Sequence, residues 1–223
     1  MATIQRINKQ GERTLVNIDL KNTQQASLIL EDGDILNLPK ILSKIENVVK
    51  ISGHVERTET LNWKESLRVS DGVQRVNYLK AKPDLQYALI KRYSKPNRTL
   101  NILSFSLADA LSAKGSAADP LLYDQDEVIF FGLLESSRTD EVEKIVAELR
   151  AQANLSQSSK EVSISGDVRY PGVYPLVEGM KVGDLIYAAG GLTEKAFQLY
   201  AELNRSEFSL SQERTQSRLT LDL

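Results

Sequence analysis

Short alternating runs and a few brief helical stripes make up most of this chain. Val49, Ile51 and Val55 alternate with Lys50, Ser52 and His54, which predicts a strand over Val48 to Val55 with a turn or bulge at Gly53. Gln86 to Tyr93 has an apolar centre and reads as a strand. Lys95-Pro96-Asn97-Arg98 is then a turn, and Thr99 to Phe105 its partner strand. Ser106 followed by Asp109 caps a short helix over Leu107 to Ser112, and Glu127 to Phe131 is a further strand. Asn62-Trp63-Lys64-Glu65 offers a polar N-cap with Glu three positions on. The spacing of Trp63, Leu67 and Ser70 predicts a helix there that stops near Asp71-Gly72. Val142, Ile145, Val146 and Leu149 form the apolar stripe of an amphipathic helix of about fifteen residues or fewer. Asn154 to Lys160, rich in Ser and Gln, reads as a linker. Val162 to Val168 is again a strand, Tyr170-Pro171-Gly172 a turn, and Val173 to Leu176 the return. Met180, Val182, Leu185, Ile186 and Ala189 recur at helical spacing, and Gly190-Gly191 ends that helix as a left-handed cap.

These phrases repeat. Val49-Lys50-Ile51-Ser52-Gly53-His54-Val55 returns as Val162-Ser163-Ile164-Ser165-Gly166-Asp167-Val168. Leu30-Glu31-Asp32-Gly33-Asp34-Ile35 aligns with Leu122 to Val128 if one extra residue is allowed, and both acidic stretches read as turns into strands, Leu28 to Leu38 being the first such strand. Leu15 to Leu20, Leu100 to Leu107 and Leu219 to Leu223 share a third phrase. Repeats fix architecture. A β-hairpin, a helix across it and returning strands describe a β-grasp, so the expected class is α+β with tandem β-grasp domains. The chain begins and ends at the same phase of its repeat, which predicts a fragment of a longer multi-repeat protein. The expected division is 1–47, the closing half of one unit; 48–133, a complete unit; 134–159, amphipathic helix and linker; and 160–223, the opening part of a further unit.

Composition narrows the chemistry. With 223 residues and 41% hydrophobic side chains the chain can bury real cores. A net charge of −2 with no Lys or Arg stripe argues against nucleic acid. The chain has no cysteine, which removes disulfides, thiol catalysis and thiolate metal sites. No run approaches the ~18 apolar residues of a membrane helix, and the N-terminus carries no apolar signal-peptide core, so membrane contact is expected only through other parts of a parent protein. His54 is the single histidine, so a Ser-His-Asp triad or a histidine-based metal site would have to be built on it alone, and Glu31, Asp32 and Asp34 lack the later ligands of a calcium loop. No catalytic residue, metal site or cofactor is expected.

The stretch Ile164-Ser165-Gly166-Asp167-Val168-Arg169-Tyr170-Pro171-Gly172-Val173-Tyr174-Pro175-Leu176, followed by Gly190-Gly191-Leu192-Thr193, resembles the soluble-ligand-binding β-grasp (SLBB) domains of bacterial outer-membrane polysaccharide export proteins. Ala201 to Arg205 resembles the strand that comes next in that family. Asp119 to Asp126 resembles its closing strand, with Gln125 in place of the usual glycine. The middle unit has Glu56-Arg57-Thr58-Glu59 where the family has a Pro-Gly turn. The resemblance implies a non-enzymatic, periplasmic or outer-membrane-associated role in capsular or exopolysaccharide export. Its partners would be polysaccharide, other subunits of a homo-oligomer and the export machinery. The alternative is a ligand-sensing or accessory β-grasp module of an enzyme complex.

Five residues stand as binding candidates. Arg169, Tyr170 and Tyr174 belong to the hairpin near its tip, where solvated turn and saccharide or partner contact are the two readings. Trp63 has a face that stacks on sugar rings, although a helix-borne Trp four residues before Leu67 more often belongs to a core. His54 follows Gly53 and reads as a solvated turn residue.

Overall fold

The computed structural model describes residues 2–7, 10–38, 45–75, 79–133, 137–154, 158–196, 200–208 and 214–222. The chain divides into two units, Met1–Ile45 and Glu46–Leu223. In the first, β1 (Ala2–Ile7) pairs antiparallel with β2 (Arg13–Ile18) on one side. A short helix α1 (Thr23–Ala26) follows, and β3 (Ile35–Asn37) pairs antiparallel with β1 on its other side. The sequence predicts a strand over Leu28 to Leu38; only Ile35–Asn37 is one. The preceding residues are held in a turn instead, because Asp34 accepts from the Glu31 amide at 2.9 Å and Gly33 takes a left-handed φ of 85°.

The second unit is built on a five-stranded sheet. Its strands are β4 (Val48–Gly53), β5 (Glu59–Asn62), β6 (Pro83–Ser94), β7 (Thr99–Phe105) and β8 (Glu127–Gly132), with helices α2 (Val69–Arg75) and α3 (Leu107–Ser112) between them. The order is β5-β4-β8-β6-β7, antiparallel except where β8 runs parallel to β4. A hairpin, a helix, a second hairpin and a final parallel strand at the centre make this sheet β-grasp-like. Strand β8 reads Val-Ile-Phe-Phe because both its faces are covered. Val128 and Phe130 join Val49, Ile51, Ile90 and Leu107 in a core beneath α2 and α3. Ile129 and Phe131 face the other way, against Val142, Ile145, Val146 and Leu149 of α4 (Ser137–Gln152). The predicted amphipathic stripe is therefore the face that packs.

The helix expected around Trp63 is not there. Asn62 ends β5, the Trp63 amide donates to Asn47 O at 2.7 Å, and the helix starts only at Val69. Asp71 fixes that start by accepting from the Arg68 amide at 3.1 Å, so Asp71-Gly72 lie inside the helix they were expected to end.

Beyond α4 come β9 (Glu161–Ile164), β10 (Gly172–Pro175), α5 (Val182–Ala188) and a hairpin of β11 (Tyr200–Phe208) and β12 (Arg214–Asp222). Strands β9 and β10 form one two-stranded sheet and β11 and β12 another. The segment repeats the local geometry of 47–80 at a constant shift of 113 positions. Val48 opposes Asn62 and Glu161 opposes Pro175. Val55 bridges to Leu79 and Val168 to Leu192. The Val55 amide donates to Gly53 O at 2.7 Å and the Val168 amide to Gly166 O at 2.9 Å. Trp63 to Asn47 O becomes Leu176 to Lys160 O at 2.8 Å, with Asn47 and Lys160 both at positive φ. Asp71 on the Arg68 amide at 3.1 Å becomes Asp184 on the Lys181 amide at 2.8 Å. The helix α5 ends as its glycines predict: Gly190 donates to Tyr187 O and Gly191 to Ile186 O, both at 2.9 Å.

A second correspondence links the first unit to the central sheet. Arg6 grips Asp34 through Nε (2.9 Å) and Nη2 (2.7 Å) and donates to Ile29 O at 3.0 Å. Arg92 grips Asp126 through Nε (2.9 Å) and Nη2 (2.6 Å) and donates to Leu121 O at 2.9 Å. Asp126 also accepts from the Tyr123 amide at 2.8 Å, and Gln125 takes the positive φ that Gly33 takes. Asp34 thus matches Asp126 and Ile35 matches Glu127, so the extra residue allowed in aligning the two phrases is not needed.

Candidate ligand cleft

A cleft of about 1100 Å³ lies in the second unit. Its floor is β7 with neighbouring Tyr87 of β6, and its far wall is the loop 176–180 with Asp184 and Tyr187 of α5. Among the described residues strand β7 is the edge of the central sheet, pairing with β6 alone. Its outer edge is sealed at one point: Gln152 accepts from the Leu100 amide at 2.8 Å and donates to Leu100 O at 2.9 Å, standing in for a neighbouring strand. By the two-residue period of a strand, the backbone groups of Ile102 and Ser104 point along the same edge, into the cleft. Polar side chains border it: Asn101, Ser104, Ser106, Asp109, Asp184 and the exposed Tyr187. Tyr87, at the back, is buried, and burial pushes its phenol well above the ordinary range. With Arg92, Lys160 and Glu178 also in the lining, the trough offers hydrogen-bonding groups of both charges beside aromatic faces, a mix that suits a polyhydroxylated ligand.

The α4 side of the site is tied by Arg138. Its side chain is fully buried in the first turn of α4, and its guanidinium donates to the Asp84 carboxylate and to Ala188 O at 2.8 Å. The rings of Phe131 and Tyr170 lie 5.2 and 5.0 Å from it. Asp84 in turn accepts from the Gln86 amide at 2.8 Å. One charge pair thus joins the central sheet, α4 and the end of α5. A buried pair of this kind fixes orientation more surely than it adds stability. Sequence reading passed over Arg138 because it stands next to a polar stretch; the signal is its place before the apolar stripe of α4.

The five candidates from the sequence fall elsewhere, and none lines the cleft. His54 is buried, not solvated: its Nε2 lies 2.9 Å from Ala81 O, and its ring packs so closely on Gly132 that a Cβ there would stand 2.7 Å away. Trp63 is half-buried against the first core and donates from Nε1 to Leu122 O at 2.7 Å, so its ring closes a core and offers no stacking platform. Arg169 and Tyr170 are neighbours of a carbonyl rather than of solvent alone. Arg169 Nη1 (3.1 Å) and Tyr170 OH (3.0 Å) both donate to Leu133 O. Tyr174 lies in the second core and donates to Tyr170 O at 2.6 Å; burial pushes its phenol up to about 12. Its ring meets Tyr87 edge-on at 6.5 Å. The structure therefore brings Arg169, Tyr170 and Tyr174 together as a packing contact, and leaves Trp63 and His54 apart from them.

The acidic group Glu31, Asp32 and Asp34 is a turn held by Arg6, and among the described residues no cluster of three or more His, Asp or Glu is placed to hold a metal. No helix among them is long and apolar enough to cross a membrane. No curated protein matches the chain. Residues 162–204, which run from β9 through α5 into β11 and contain Gly166, the Pro171-Gly172 turn and Gly190-Gly191, match the family model of the SLBB domain, so the chain carries an SLBB-domain sequence in this segment.

Proposed function

We propose that the chain is a run of tandem SLBB-like β-grasp units from the periplasmic body of a capsular or exopolysaccharide export protein, acting in channel assembly and in passing contact with saccharide. The SLBB match at 162–204 carries this reading. The shift of 113 positions that superposes Asn47 to Lys80 on Lys160 to Thr193 extends it to the central sheet, and the Arg6–Asp34 and Arg92–Asp126 grips extend it to the first unit. Export asks for assembly and passage, not turnover, so no enzymatic activity and no cofactor are proposed. Outer-membrane association would come through other parts of the protein.

The cleft along β7 is the proposed place of saccharide contact, in preference to Arg169 and Tyr170, whose polar groups are engaged with Leu133. Contact there should be weak, since tight binding would stall a moving chain. The test is polysaccharide output from cells whose only copy carries Asn101→Ala with Tyr187→Ala. Lower output at a normal envelope level of the protein is expected; normal output would overturn the cleft assignment. The cleft also supports the second reading, a ligand-sensing module. Calorimetry that finds a small molecule bound at micromolar affinity, with polysaccharide output unaffected, would favour it.

A further inference from the structure

Strand β8 joins the two halves of the central sheet. It runs parallel to β4, with Lys50 opposite Glu127, Ile51 opposite Val128, Ser52 opposite Ile129 and Gly53 opposite Phe130. Its arrival is why residue 53 is glycine: a Cβ there would stand 2.1 Å from Phe130 O. Strand β9 has the same local geometry and the same glycine, Gly166 at φ 95°, yet nothing lies within 4 Å of where its Cβ would be. The sheet order stops at β9, and the hairpin β11–β12 forms its own sheet, so it does not take this edge. Among the described residues, β9 is a prepared strand site with no strand in it.

Strand β3 is the complementary half. It has the same preceding turn, arginine grip and antiparallel partner as β8, and among the described residues no strand pairs with its second edge, the one by which β8 meets β4. Its side chains are exposed where those of β8 are buried. Leu36 and Leu38 are 45% and 56% exposed, while Val128 and Phe130 at the matching places are 1%. An open edge bearing apolar side chains is a template for a further strand.

We propose that β3 of one copy of this chain adds in parallel to β9 of a second copy, completing a sheet of the same order as the central one. The register follows from β4 and β8: Ser163 opposite Ile35, Ile164 opposite Leu36, Ser165 opposite Asn37, and Gly166 opposite Leu38. Each copy offers one β3 and one β9, so the pairing either closes reciprocally as a dimer or runs head to tail, into a ring where the rotation closes and an open chain where it does not. This inference stands on the strand geometry and does not depend on the export reading.

The absence of cysteine makes the test clean. Chains carrying Ser163→Cys and chains carrying Ile35→Cys are mixed and gently oxidised. In the central sheet the residues at the matching places, Lys50 and Glu127, are direct partners across the parallel ladder; adjacent strands lie about 4.8 Å apart, inside the roughly 4.4–6.8 Å that a disulfide spans between Cα atoms, so the two thiols should be in reach. The expected product is a disulfide between two chains, absent when Thr14→Cys on the outer strand β2 replaces Ile35→Cys. Leu36→Lys and, separately, Gly166→Ala should remove the cross-link, and unchanged circular dichroism of the Leu36→Lys chain would show that it still folds. Three results would overturn the proposal: no cross-link beyond the Thr14→Cys control, a cross-link indifferent to Leu36→Lys, or a chain bearing both cysteines that closes on itself as a monomer at every dilution.

Discussion

Gly53 and Gly166 share a left-handed backbone but not a neighbour, and that difference is measurable. Alanine at either position meets the cost of positive φ, about 1–2 kcal/mol. At Gly53 the new Cβ also runs into Phe130 O, so β8 must shift away from β4. Gly53→Ala should therefore lower the urea midpoint far more than Gly166→Ala; equal effects would mean that β8 does not approach as described. Asp34 gives a second residue-scale expectation. Its hydrogen bonds from Arg6 and from the Glu31 amide hold its carboxyl at about 2, below the usual carboxylate value of ~3.9. A depressed carboxylate contributes its stability in full above the unfolded value and loses it as pH falls through the folded one. The first unit should accordingly loosen between about pH 4 and pH 2, as followed by the NMR shift of the Asp34 carboxyl, and Asp34→Asn should flatten that dependence.

At the scale of elements, α4 is the part on which the second unit turns. One stripe, Val142, Ile145, Val146 and Leu149, covers the back of the central sheet, and Arg138 at its start reaches both Asp84 and the end of α5. Ile145 is 2% exposed. Ile145→Ala should cost about 2–5 kcal/mol, as large-to-small core changes do. A loss below about 0.5 kcal/mol in chemical denaturation would show that the helix is a loose appendage. Arg138→Met should instead act on orientation, leaving most helical content but exposing Tyr170 and Tyr174, which fluorescence quenching would report.

At the scale of the whole molecule, the second core takes side chains from β6, β8, α4, β10 and α5. Residues 46–223 should therefore melt in one cooperative transition, although the sequence divides them into three segments. Calorimetry of Ile145→Ala should move that transition as a whole by roughly 2–4 °C per kcal/mol for a unit of this size. Two separate transitions within 46–223, with only one of them moved, would contradict the shared core.

Much of this architecture is local and was legible in the chain. Period-two alternation marks β4, an i, i+3, i+4, i+7 stripe marks α4, Ser106 marks the start of α3, and Gly190-Gly191 marks the end of α5, because each is set by neighbours a few residues away. The repeat of Ser-Gly-x-Val was readable for the same reason: a left-handed glycine at the end of a strand leaves a short signature. What sequence could not decide was which side chains face solvent. His54, Trp63, Arg169 and Tyr170 are polar or amphipathic residues whose partners Ala81, Leu122 and Leu133 are distant along the chain, and Tyr174 is buried by a core that long-range packing assembles. Nor did it locate the cleft, whose walls are β7 and α5, more than seventy residues apart and brought together by α4 between them. The sequence by itself determined most of the elements, the glycine turns and the repeated phrases, which depend on short-range backbone preference. Only the tertiary structure decided burial, the Arg138 tie and the two open strand edges, since these depend on what long-range packing brings, or fails to bring, against each surface.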